Sequence, residues 1–160
     1  MLPTKNDLPE STRAAVVKML NQRLAESIDL QLQAKQAHWN VRGPHFYQLH
    51  KLFDQVAEEA SEFTDLIAER ASALGGVPDG TPRTVVDRSK LPAYPTTIHD
   101  GMEHVQALST SLATFARSVR TGIDEAASAG DADTADLFTE VSREVDKLLW
   151  FVEAHLHAKN

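Results

Sequence analysis

The sequence predicts an all-α fold: four long helices in a bundle, with one long crossover that contains a short helix. Three observations carry this reading. Apolar residues recur at three- and four-residue steps through most of the chain, and nothing alternates with period two for long. Gly75-Gly76 and Gly130 fall at the ends of such stretches, where glycine stops a helix. Between Gly76 and Thr96 the pattern is broken by Pro78, Pro82, Pro92 and Pro95, a span long enough to hold a small element of its own.

The elements follow in order. Residues 1–6 form a short arm with one lysine, Lys5. Asp7-Leu8-Pro9-Glu10 has the form of a helix start, with Asp7 as cap and proline early, and the first helix runs from there to about Trp39. Val17, Leu20, Leu24 and Ile28 mark its buried face. A turn over 40–43 leads to a second helix from Pro44 to Leu74, whose stripe is Phe46, Leu49, Phe53, Val56, Ala60, Phe63, Ile67 and Leu74. Residues 84–89 are expected to make the short helix of the crossover. Thr96 or Thr97 caps a third long helix, with Ile98, Met102, Val105, Leu108, Leu112, Phe115, Val119 and Ile123 on its core face and Gly130 closing it. The fourth begins in an acidic run from Asp131 to Asp136, where negative charge favours a helix N-terminus, and buries Phe138, Val141, Val145, Leu148, Val152 and Leu156. Two tight turns and one long crossover give the ferritin-like form of the four-helix bundle.

Composition narrows the function. The 160 residues suffice for one domain, 1–160, with a real core. No apolar run approaches the ~18 residues of a membrane span, and the N-terminus lacks the apolar stretch of a secretory signal, so a cytoplasmic location is expected. Cysteine is absent, which excludes disulfides and thiolate metal sites. The net charge of −7 disfavours binding nucleic acid through the overall field.

The chemistry-bearing stretch lies on the second helix. His50 and Asp54 are four residues apart, hence neighbours on one face, and Asp65 and Glu69 repeat the spacing. These donor types suit iron, manganese or zinc. Asp65 follows Asp54 by eleven residues, about three turns, so both pairs point nearly the same way but lie roughly 16 Å apart along the axis. One ion cannot reach both. Two copies packed antiparallel about a two-fold axis near residues 59 and 60 would bring His50 and Asp54 of one against Asp65 and Glu69 of the other, creating two equivalent sites. Ala57 and Ser61, small and between the pairs, would allow close approach. His38 is a third candidate on the first helix. No glutamate has histidine three residues later, so the usual intrasubunit di-iron arrangement is absent.

Other candidates carry less. A lone His/Asp pair is more often a solvated flank, and Lys51, Glu58, Glu59 and Glu62 read that way. His45 is expected to be exposed, His99 with Glu103 structural, and His155 and His157 part of a frayed end. Trp150 is assigned to the core and Trp39 to packing. Asp131, Asp133, Asp136 and Glu140 are first a helix-dipole feature and second a passage for cations.

The chain resembles the Dps family of miniferritins over nearly its whole length. Lys35-Gln36-Ala37-His38-Trp39-Asn40-Val41-Arg42-Gly43 is close to the family signature, and His50, Asp54, Asp65 and Glu69 follow at the family spacing. Ala68-Glu69-Arg70, Leu74-Gly75-Gly76, Asp133-Thr134-Ala135-Asp136 and Asp146-Lys147-Leu148-Leu149-Trp150-Phe151 continue the likeness. The resemblance implies a hollow homo-dodecamer with ferroxidase sites at two-fold interfaces, where His38, His50 and Asp54 of one subunit and Asp65 and Glu69 of its mate bind Fe(II). Oxidation to Fe(III), typically by hydrogen peroxide, is followed by storage of ferric oxide, which protects DNA. It also implies three-fold pores lined by the start of the last helix, with Asp131, Asp136 and Glu140 as candidates. The departure is at the termini: only Lys5 precedes the first helix and Lys159 is the one lysine near the other end, so DNA binding is expected to be weak or absent. The rival readings are a nucleoid-compacting DNA-binding structural protein with weak ferroxidase activity, and a structural zinc or manganese site between subunits.

Overall fold

The computed structural model describes residues 1–157. Its order is α1 (Glu10–Asn40), α2 (Phe46–Ala73), α3 (Pro82–Arg88), α4 (Gly101–Ala129) and α5 (Ala132–Glu153), ending in a 3₁₀ turn over Ala154–His157. The described residues form no sheet; a single bridge joins Arg42 to Asp100. Lys159 lies outside the described residues.

Two tethers set the topology. At one end the Arg42 amide, in the α1–α2 turn, donates to the His99 carbonyl at 2.9 Å, just before α4. At the other the Arg70 guanidinium, near the end of α2, donates to Asp131 at the α4–α5 turn, at 2.8 Å. The end of α2 and the start of α4 therefore lie at opposite ends of the bundle, and the crossover runs its full length with α3 packed on α1. Helix α1 packs on α2 and α4, and α5 on α4 and α2, so α1 is diagonal to α5. Phe53, Phe115 and Phe138 fill the centre with Leu20, Leu30, Leu108, Leu112 and Leu148.

Helix ends explain most differences from the sequence expectation. Asp7 does not cap α1: the helix begins at Glu10, after an extended Pro9 with no side-chain cap, because proline disfavours helix in the residue before it. Arg13 stabilises this end instead, donating from Nη1 to the Leu74 carbonyl at 2.9 Å. Pro44 lies in the turn rather than in α2, which starts at Phe46. Thr96 and Thr97 do not cap α4; Asp100 does, its carboxylate accepting from the Met102 amide at 2.9 Å. Ile98 consequently precedes the helix.

At the end of α2, Gly75 takes φ +78°, and the Gly76 amide reaches the Ala71 carbonyl at 2.8 Å. This is the six-to-one closure that needs a left-handed residue. Gly130 does the same after α4, with φ +86° and the Asp131 amide on the Ala126 carbonyl. The crossover helix forms over 82–88, two residues ahead of its expected start, because Pro82 suits the first helical position. Phe46 and Leu156 are exposed rather than core. Trp150, assigned to the core, is 64% exposed: its neighbours Leu148 and Val152 are buried, and a residue between them faces outward on a helix. Trp39 is equally exposed.

Candidate metal centre

The tight α1–α2 turn sets the end of α1 against the start of α2, so His38 faces His50. Their rings stack with centroids 3.7 Å apart and 21° between planes. Each is fixed by the other helix's backbone: His38 Nδ1 donates to the His50 carbonyl at 2.7 Å, and His50 Nδ1 donates to the His38 carbonyl at 2.9 Å. A carbonyl only accepts, so the proton of each neutral ring sits on Nδ1, and both Nε2 atoms carry a lone pair. A backbone carbonyl on one ring nitrogen is also how metal-ligating imidazoles are commonly oriented.

One turn along α2, Asp54 Oδ1 lies 3.9 Å from His38 Nδ1 and 2.5 Å from Lys35 Nζ. The Lys35 hydrogen bond holds the Asp54 carboxyl below its ordinary range against the opposing effect of burial, with smaller help from charge on His38, Lys35 and Lys51. The group is thus anionic but already partnered. Lys35 is the residue the sequence reading left without a role; its position three before His38, on the same face of α1, was the available signal.

Asp65 and Glu69 are exposed, further along the α2 face that carries Asp54, Glu58, Ser61 and Glu62. No carboxylate–cation contact engages either among the described residues. The chain brings His38, His50 and Asp54 together and leaves Asp65 and Glu69 apart. Among the described residues, no three His, Asp or Glu side chains converge well enough to hold a metal ion. Ala57, expected on the contact face, is 1% exposed and belongs to the chain's own core, so of the two small residues only Ser61 faces outward.

The candidate pore residues divide. Asp131 is 2% exposed, and its carboxylate caps α5 through the Thr134 amide and hydroxyl while pairing with Arg70, so it is not free to meet a passing ion. Asp136 and Glu140 are exposed one turn apart on α5. His45, His99 and Glu103 are exposed, and His157 ends the described chain. The buried histidine is His104, which the sequence reading passed over.

A family model described as Ferritin-like domain matches residues 17–159. A "DNA protection during starvation protein" of Agrobacterium fabrum is 45% identical over 157 residues, covering 98% of this chain and 97% of that protein. Among solved structures, DpsC from Streptomyces coelicolor superposes with a TM-score of 0.93 at 32% identity, covering 100% of this chain and 92% of the other. Dps from Microbacterium arborescens in the high iron form gives 0.88 at 29% identity, covering 99% and 100%.

Proposed function

Since the chain belongs to the Dps family of ferritin-like proteins, we propose that it is an iron-oxidising and iron-storing miniferritin whose reaction centre is completed by a second copy of the same chain. The observation that carries this reading is the half-site: two stacked imidazoles held through Nδ1 by backbone carbonyls, the His38 ring with its Nδ1 3.9 Å from Asp54, and the unengaged Asp65 and Glu69 three turns away on the same helix face. Antiparallel pairing of α2 joins each half to its complement. Fe(II) is the substrate. His38 and His50 supply borderline donors that hold it on arrival; Asp54, with Asp65 and Glu69 of the second copy, supplies hard anionic donors that favour Fe(III). Two Fe(II) ions each give one electron to hydrogen peroxide, the O–O bond breaks, and two protons complete two molecules of water.

In this reading residues 1–160 act as one ferritin-like unit with residues 1–6 as an arm, and twelve copies enclose a cavity in which ferric oxide collects. Asp136 and Glu140 line the route inward. No described helix is long and apolar enough to cross a membrane, and the protein works in the cytoplasm, protecting DNA by removing Fe(II) and peroxide together. DNA itself is bound weakly or not at all, because a net charge of −7 opposes binding through the overall field. The likeness to the M. arborescens protein, described in a high iron form, supports the iron reading.

The test is anaerobic addition of Fe(II) followed by hydrogen peroxide, tracking ferric absorbance and peroxide consumed. Oxidation above the protein-free rate, lost in both His50→Ala and Glu69→Ala with assembly intact, is expected. No oxidation above that rate would remove the enzymatic reading. Loss of assembly in both variants would favour a structural metal.

A further inference from the structure

A second concentration of chemistry lies away from the centre, where α1, α4 and the end of α3 meet. Two recesses, of about 550 and 310 Å³, share Gln22 and Arg23 as a common wall. The first carries Lys18 and Arg88, the second Lys90 and Arg117. These five cations stand together in a chain of net charge −7.

Arg23 is built in. Its side chain is 8% exposed, Nε and Nη2 donate to the Ser118 carbonyl at 3.2 and 3.1 Å, Nη2 also meets Glu125 at 2.9 Å, and the guanidinium lies over the Phe138 ring. Nη1 takes part in none of these bonds. The guanidinium is therefore held rigid with Nη1 alone uncommitted, so it can offer a single fixed nitrogen, not its two-nitrogen fork, to an oxyanion. Of the surrounding cations, Arg88 is tethered to Asp79 at 3.3 Å, whereas Lys18, Lys90 and Arg117 have no carboxylate within ion-pair distance among the described residues. Two acids also line the recesses against the five cations: Glu125, paired with Arg23, and Glu26, whose oxygens accept from Gln22 and from the Ser118 hydroxyl.

We propose that this paired recess is a binding site for a compact oligophosphate, with Arg23 as the fixed central contact and Lys18, Lys90 and Arg117 closing on the outer oxygens. The shared chemistry is the phosphate oxyanion, and a nucleic-acid backbone is the other source of it. The concave shape and local charge favour the small ligand. A short oligophosphate meets only the cations around Arg23, whereas a long polyanion must also lie across a surface whose overall charge repels it.

The experiment titrates sodium tripolyphosphate into the assembled wild-type protein at low salt by calorimetry, with a parallel melting curve and a competition arm using duplex DNA. Saturable binding and a rise in melting temperature are expected, since a ligand of the folded state alone stabilises it. Lys90→Glu with Arg117→Glu, both exposed, should weaken binding by at least about tenfold; Lys90→Gln with Arg117→Gln should give an intermediate loss. Arg143→Glu, an exposed cation of α5 outside the recess, should change nothing. Absence of saturable binding, equal loss in Arg143→Glu, or duplex DNA bound more tightly than tripolyphosphate at these residues would overturn the assignment.

Discussion

Asp54 and Asp131 each sit beside a cation, and the contrast between them separates the carboxylate proposed as an iron ligand from a structural one. Asp131 is 2% exposed and accepts from Arg70, the Thr134 amide and the Thr134 hydroxyl. Arg70 presents a rigid fork and also donates from Nε to Thr134, so the cluster is closed. Asp54 has one strong partner, the flexible ammonium of Lys35, and 26% of its side chain remains exposed. A lysine on four methylenes is displaced more readily than a clamped guanidinium. Acidity alone therefore does not leave a carboxylate available to a cation; its existing partner and its depth decide that.

The largest effect to sharpen this comparison is on stability. Asp131→Ala leaves Arg70 without its buried partner and α5 without its cap, and should cost about 3–5 kcal/mol by analogy with other broken buried pairs, read as a shift in urea midpoint. Asp131→Asn keeps an acceptor for the Thr134 amide and should lose less. If Asp131→Ala unfolds no earlier than wild type, the cluster is not what joins α2 to α5. Glu69→Ala, by contrast, removes an exposed group and should leave stability within about 0.5 kcal/mol while abolishing peroxide-dependent Fe(II) oxidation, measured by ferric absorbance.

The fold was largely legible because it rests on long apolar stripes and on glycines at helix ends. Val56, Phe63, Ile67, Val105, Phe115 and Val145 fall in the core as their spacing requires. Helix starts were less legible. Asp7, Thr96 and Thr97 have the right chemistry for caps, but which polar residue caps is decided by where the chain is tethered, and the Arg42–His99 bond places Asp100 at the start of α4.

In the candidate site, the i,i+4 pairs on α2 were readable and the rest depended on tertiary placement. Periodicity does not show that His38 and His50 exchange hydrogen bonds with each other's backbone, that Lys35 reaches Asp54, or that Ala57 turns inward. The outward positions of Trp39 and Trp150 were missed because size was allowed to outweigh helical phase.

His104 gives a middle case between the closed cluster and the open one. It is 1% exposed; Nδ1 pairs with the Tyr94 hydroxyl at 2.7 Å, and Nε2 has no partner. Burial lowers its pKa below the ordinary 6.5, with His99 adding to the effect, while Glu103, the Ile98 backbone and Asp100 oppose it. The unfolded chain therefore binds this proton first. Stability from His104 is complete above pH 6.5 and is lost as the pH falls from there through the lower folded-state value. His104→Leu should flatten urea midpoints measured in steps below that pH. An unchanged slope would mean that other groups set the acid limb.

The smallest effect concerns Lys35, and it bears most directly on the contrast with Asp131. Lys35→Met removes the hydrogen bond that is the chief cause of Asp54's low pKa, so the carboxyl should titrate closer to its ordinary 3.8. The pair is partly exposed, and its loss should change stability by no more than about 1 kcal/mol. Metal binding should move the other way: with no ammonium to displace, Asp54 becomes available, and anaerobic Co(II) binding, followed by its visible bands, should tighten. If Lys35→Met weakens Co(II) binding instead, Lys35 positions the carboxylate rather than competing for it, and Asp54 would then resemble Asp131 in needing its cation to function.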